Sequence, residues 1–138
     1  MDDARVLVVE DCAVMAELIS DMLQDAGAIV VGSAQTAAAA LALLESQAVD
    51  LACLDIQLGH EDSFCVADYL TSQRIPFVFV TACRRETVPE RHRDRPFVSK
   101  MDIPEALLPS LVTAHRGIDR GRRAAGSNSC PMDNAAAS

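Results

Sequence analysis

Three carboxylates, one hydroxyl and one amine stand where apolar stretches of this chain end: Glu10 and Asp11, Asp55, Thr81 and Lys100. Carboxylates brought within a few ångströms repel one another, and such a cluster persists when a proton or a hard cation joins them. Oxygen-only ligands, few in number and leaving room for water, suit Mg²⁺ better than zinc or a calcium cage. A cation held there calls an anionic substrate such as a phosphate. Lys100 then offers charge to the phosphoryl oxygens and Thr81 a hydroxyl donor. Phosphoryl transfer asks mainly for positioning and charge neutralisation, so this set suffices with one carboxylate as nucleophile. Asp55 is assigned that part, because it ends the central strand with the acid pair on one side and Thr81 and Lys100 on the other.

Each residue alone has a duller explanation. A Glu-Asp pair after a strand often caps the next helix, an Asp closing a strand is often a turn former, and a lone Lys is usually solvated. The weight lies in their order and their shared placement at strand ends.

The elements that must position them follow from patterning. Val6-Leu7-Val8-Val9 runs into Glu10-Asp11, Val49 to Leu54 into Asp55, and Phe77-Val78-Phe79-Val80 into Thr81. Apolar runs of this length without a helical period read as strands buried on both faces of a parallel sheet, and ligands gather outside the carboxyl ends of such strands. Ala28 to Gly32 and Phe97-Val98-Ser99 supply two further strands. Between them, Val14, Leu18, Ile19, Met22 and Leu23 predict an amphipathic first helix, and Thr36 to Gln47 an alanine-rich second one. Asp62 or Ser63 caps a third helix, and Leu107, Leu108, Leu111 and Val112 give the last helix its apolar face. Cys83 to Arg95 is poor in apolar residues and interrupted by Pro89, so a short turn of helix or a loop is expected there.

The chain of 138 residues is half hydrophobic, enough for one domain with an aliphatic core. The expected division is one domain over residues 1–116 and a disordered, Gly-, Ser-, Ala- and Arg-rich tail over 117–138. The net charge of −8 argues against non-specific nucleic-acid binding. Residues 1–73 carry one basic residue against 13 acids, and residues 74–138 carry 11 against 7, so the two halves attract each other. Five cysteines of irregular spacing predict reduced, mostly buried thiols in a cytoplasmic protein. His60, His92 and His115 show no metal-ligand spacing and are expected to be solvated. Neither a signal peptide nor a membrane span is expected.

The ordered set Val8-Val9-Glu10-Asp11, Asp50 to Asp55, Val80-Thr81-Ala82 and Pro96 to Lys100 resembles the receiver domains of bacterial response regulators over residues 4–116. The resemblance implies a flavodoxin-like (CheY-like) α/β fold: a doubly wound, five-stranded parallel sheet of order 2-1-3-4-5. It implies that Asp55 takes a phosphoryl group from the phosphohistidine of a sensor histidine kinase with Mg²⁺ as cofactor. Glu10, Asp11, Asp55 and the backbone carbonyl of Gln57 match the metal site. Thr81 and Lys100 match the residues that hold the phosphoryl oxygens, and Thr81 and Phe97 the pair that switches on activation. Gln57 and Cys83 sit where the family tunes dephosphorylation.

Pro76 to Ala82 also resembles the single-domain FAT GUY group, whose fourth helix is short or disordered and whose kinases are typically of the HWE type. The implied function is a stand-alone receiver with self-catalysed phosphotransfer and autodephosphorylation, not a conventional enzyme. It signals by contact with an unknown downstream protein or drains kinase phosphate; neither nucleic acid nor membrane is an expected partner. The alternative is a receiver-like module that binds protein without being phosphorylated. Met101 bears on that choice, because it replaces a proline whose cis peptide aims the lysine. A cis bond before a non-proline residue costs about 3 kcal/mol, so a trans bond and a less well held Lys100 are expected.

Overall fold

The computed structural model describes residues 3–82 and 88–125. In chain order the elements are β1 (Arg5–Val9), α1 (Ala13–Asp25), β2 (Ile29–Ala34), α2 (Ala37–Ser46), β3 (Leu51–Leu54), β4 (Gln57–Leu58), β5 (Glu61–Asp62), α3 (Phe64–Ser72), β6 (Phe77–Thr81), β7 (Phe97–Ser99) and α4 (Ile103–Ala125). Five strands form a parallel sheet in the order β2-β1-β3-β6-β7, which is the expected 2-1-3-4-5 once the small hairpin β4-β5 is set aside.

Side chains alternate between the faces of a strand, so a strand covered on both sides can be apolar throughout. Leu7, Val9, Ala52, Leu54, Phe77 and Phe79 pack on one face with Ala37, Ala40 and Leu44 of α2 and Val66, Ala67 and Leu70 of α3. Val6, Val8, Leu51, Cys53, Val78 and Val80 pack on the other with α1 and α4. The helices thus lock the strand register from both sides.

The inward stripe of α1 is Ala16, Ile19 and Leu23, with Met15 and Met22 at its margins. Val14 and Leu18, read from the sequence as part of that stripe, are 77% and 47% exposed. At 3.6 residues per turn, Leu18 stands about 100° around the helix from Ile19, which carries it out of the seam.

α2 is capped by Thr36, whose hydroxyl accepts the Ala39 N–H at 3.1 Å. Thr36→Ala is expected to cost about 1 kcal/mol, read as a lower urea midpoint at unchanged slope. Asp62 caps α3, its carboxylate accepting the Phe64 N–H at 3.1 Å.

In the second half one expectation is met and another changes. Between β6 and β7 the described residues hold only a 3-10 turn, Glu90–His92, so the fourth helix of the fold is short; residues 83–87 of that segment lie outside the described residues. The backbone of α4 continues to Ala125, past Gly117, where a tail was expected to begin. Alanine and arginine are good helix formers, and extending a helix already nucleated by packing needs no apolar face. Residues 126–138 of the expected tail lie outside the described residues. Among the described residues no helix is long and apolar enough to cross a membrane.

Candidate functional site

Register brings the chemistry to one edge. Val9 pairs with Leu54, Leu54 with Phe79, Phe79 with Phe97 and Thr81 with Ser99, so Glu10, Asp55, Thr81 and Lys100 all leave the sheet at its carboxyl end. Backbone bonds fix the exits: Glu10 N–H donates to Ala34 O and Asp55 N–H to Val9 O, both at 2.9 Å.

At that edge Glu10, Asp11 and Asp55 each present a carboxylate oxygen within 4.8 Å of the others. Glu10 and Asp55 are 1% and 4% exposed, whereas Asp11 is open to solvent. Lys100 reaches across with its Nζ 3.0 Å from Asp55 Oδ2, and it lies 3.1 Å from Glu10 Oε2 and 3.0 Å from Oε1. The Cys12 N–H also donates to Glu10 Oε2, at 3.1 Å. Oε1 is buried and, although near the ammonium, has no hydrogen bond of good geometry.

The electrostatics follow from three acids facing one cation. Burial pushes the Glu10 carboxyl up to about 7 against the pull of Lys100 and the Cys12 N–H, with Asp55 adding repulsion. Slight burial also opposes ionisation of Asp11, but its contacts with Glu10 and the Gly59 N–H win and hold it below the usual range. Burial disfavours the Lys100 cation; its bonds to Glu10 and Asp55 outweigh that and raise its pKa.

Thr81 is buried at the end of β6, and Phe97 is half-buried on the neighbouring strand. Gln57 turns its side chain to the hairpin, Nε2 donating to Gly59 O at 2.8 Å, so only its backbone carbonyl stays in question for the acid cluster. The Lys100–Met101 peptide is trans, and Ser99 Oγ accepts the Met101 N–H at 3.2 Å. Lys100 nevertheless meets both carboxylates. The expectation of a poorly held lysine is therefore corrected: a 3-10 turn, Lys100–Asp102, supplies the aim.

Sequence reasoning missed the hairpin. Gln57 pairs with Asp62 and Leu58 with Glu61 around Gly59, whose φ of +67° suits glycine. Gly59 N–H donates to Asp11 Oδ2 at 2.9 Å, tying the turn after Asp55 to the acid pair, and Glu61 Oε2 accepts the Ala37 N–H at the start of α2. The available signal was Gln57 to Asp62 itself, a Gly-containing run that fits a tight hairpin. Two further expectations are corrected. His92 is 2% exposed instead of solvated, and of the cysteines described only Cys53 is buried, its thiol pushed up to about 12 by burial, while Cys12 and Cys65 are exposed.

Residues 6–94 match the family described as the response regulator receiver domain. A curated relative, the transcriptional regulatory protein PdtaR of Mycobacterium tuberculosis, is 34% identical over 119 residues, covering 86% of this chain and 58% of PdtaR. The chain thus spans little more than half the length of that relative. Among solved structures, the BeF3-activated conformation of SdrG from Pseudomonas melonis Fr1 is 37% identical with a TM-score of 0.64, over 81% of this chain and 99% of that one. A CheY-like receiver protein from Methanospirillum hungatei shares the fold with a TM-score of 0.76 at 20% identity, over 87% and 99% of the two chains.

Proposed function

The chain belongs to the response regulator receiver domain family, and on that premise we propose that Asp55 accepts a phosphoryl group from a sensor histidine kinase in a Mg²⁺-dependent step. The observation that carries the reading is Lys100 Nζ at 3.0 Å from Asp55 Oδ2, beside a buried Glu10 oxygen that lacks a good donor. The residues fit Mg²⁺ on the same ground. The donors are all oxygens, Asp11 opens to solvent for entry, and buried Glu10 Oε1 is an acceptor suited to a water on the ion. Glu10, Asp11, Asp55 and the Gln57 carbonyl would hold it. When bound, Mg²⁺ offsets charge on the phosphoryl oxygens.

The protein's own groups do the rest. An Asp55 carboxylate oxygen forms a bond to phosphorus as the P–N bond of the phosphohistidine breaks, and the imidazole leaves with the electron pair and takes a proton. Lys100 neutralises phosphoryl oxygen charge, and Thr81 Oγ1 donates to another oxygen. Water later cleaves the acyl phosphate to regenerate the carboxylate. Charge arriving at Asp55 draws Thr81 inward and Phe97 follows, which biases a two-state surface. A kinase of the HWE type fits the Pro76 to Ala82 likeness, and the output is a protein contact or a drain on kinase phosphate. BeF3 activation of SdrG supports the reading, and a seated Lys100 disfavours a module that is never phosphorylated.

Beryllium fluoride tests it. With Mg²⁺ and beryllium fluoride together, the amide resonances of Asp55, Thr81 and Lys100 should shift, and neither reagent alone should reproduce the set. Asp11→Ala should raise the Mg²⁺ required by about tenfold or more, since it removes a ligand outright. An unchanged spectrum at saturating reagents refutes the proposal.

A further inference from the structure

The connection from β6 to β7 joins the proposed phosphoryl-contacting residues Thr81 and Lys100, and it has little apolar surface of its own. In its described part Val88 is buried in the core, and polar contacts to α3 seat the residues that follow. Asp68 of α3 receives a two-pronged bond from Arg91, Nε to Oδ1 at 2.8 Å and Nη2 to Oδ2 at 3.0 Å. The same Oδ1 lies 2.7 Å from His92 Nε2. His92 is buried edge-on against Phe77 and Phe79 of β6, with ring centroids 6.0 and 6.3 Å away. Arg95 closes the segment, its guanidinium 4.9 Å from the Phe77 centroid and its Nη2 donating to Thr71 Oγ1 at 3.1 Å.

The chemistry of the ring follows from its two nitrogens. A carboxylate only accepts, so neutral His92 carries its proton on Nε2 and leaves a bare lone pair on Nδ1. Nδ1 is buried and has no partner among the described residues. A second proton would place an N–H donor in an aromatic pocket where no described group accepts it, a costly arrangement. Of the described charged groups facing His92, α3 contributes Asp68, which favours the cation, and the connection contributes Arg91 and Arg95, which oppose it; β6 faces it with Phe77 and Phe79. Asp68 is half exposed and shared with Arg91, so its pull is screened.

We propose that Asp68, Arg91 and His92 form a proton-operated clasp in which neutral His92 seats the β6–β7 connection on α3 and protonated His92 releases it. Burial, only partly offset by Asp68, holds the seated histidine below its ordinary pKa. The released state therefore binds the proton first. The clasp is at full strength above about pH 6.5, the value of a free histidine, and weakens as pH falls below it. This is a second input, independent of phosphorylation at Asp55, acting on the segment between Thr81 and Lys100.

Amide hydrogen exchange of residues 88–95 in the full chain tests it, without Mg²⁺ or phosphodonor, at pH 7.5 and 5.5 after correction for intrinsic exchange. Opening of 88–95 should rise several-fold at pH 5.5 while β1 amides hold, and His92→Phe, which keeps the ring, should abolish that rise. Should this variant not fold, ¹⁵N spectra of the wild-type His92 imidazole decide, with a proton on Nε2 at pH 7.5 and a midpoint below the value of about 6.5 of a free histidine. Exchange indifferent to pH, a rise that survives in His92→Phe, a proton on Nδ1, or a His92 midpoint at or above the free-histidine value of about 6.5 each overturns the clasp. None of these outcomes bears on whether Asp55 is phosphorylated.

Discussion

Lys100→Met should cost about 3 kcal/mol of folding stability in Mg²⁺-free buffer at pH 8, read from urea denaturation. Among the described residues the lysine is the one cation bonded to Glu10 and Asp55, both nearly inaccessible to water. Removing one partner of a buried pair leaves an uncompensated charge, which costs about 3–5 kcal/mol. The lower end applies, because Glu10 already sits near a pKa of 7 and relieves part of the cost by taking a proton. Methionine keeps most of the stem's packing, so the loss reports charge more than volume. Two further measurements separate charge from a general loss of fold. The double variant Glu10→Gln, Lys100→Met should recover more than half of the loss, and Mg²⁺ should recover part of it in the single variant. If Lys100→Met were as stable as the parent, the acids would be solvated and the close-packed site would not exist.

The strands and their edge were legible because two-sided burial writes itself as unbroken apolar runs. Val6 to Val9, Leu51 to Leu54 and Phe77 to Val80 are buried at every position, and each run stops where a proposed site residue starts. Helix faces were less legible. α1 carries two overlapping apolar sets, and the period does not say which one packs; the small Ala16 decides it by letting Ile19 and Leu23 approach the sheet. Contacts between distant residues away from that edge were not legible. The Asp68 to His92 contact spans a sequence separation of 24, and the segment's shortage of apolar residues pointed to a short turn of helix or a loop without naming what holds it: ion pairing, aromatic edges and the buried Val88 hold its described part. Met101 shows the converse, since a single departure from the family pattern suggested a misplaced lysine and the 3-10 turn at Lys100 restores it. Backbone geometry absorbed a change that residue identity alone made look disabling.

Asp55→Asn should lower phosphorylation by acetyl phosphate in Mg²⁺ by at least roughly 10³-fold, measured as loss of the one-phosphoryl mass gain. The amide has nearly the shape of the acid but is a far poorer nucleophile towards phosphorus, so the change isolates the chemistry from the packing. Stability should not fall with it, because Lys100 keeps its bond to Glu10 and one of two mutually repelling acids is gone. Asp11 complicates the reading. It is solvent-exposed and lies within 4.8 Å of the same centre, so it is the group best placed to take a phosphoryl group when Asp55 is removed. Asp11→Asn, Asp55→Asn therefore serves as the baseline, and any mass gain in the single variant should vanish there. In the parent, the phosphoryl group should be lost to hydroxylamine, which cleaves an acyl phosphate and spares a serine or threonine ester. A mass gain in Asp55→Asn equal to the parent's would move the acceptor elsewhere, and Lys100, Thr81 and the acid pair would then surround a carboxylate that does no chemistry.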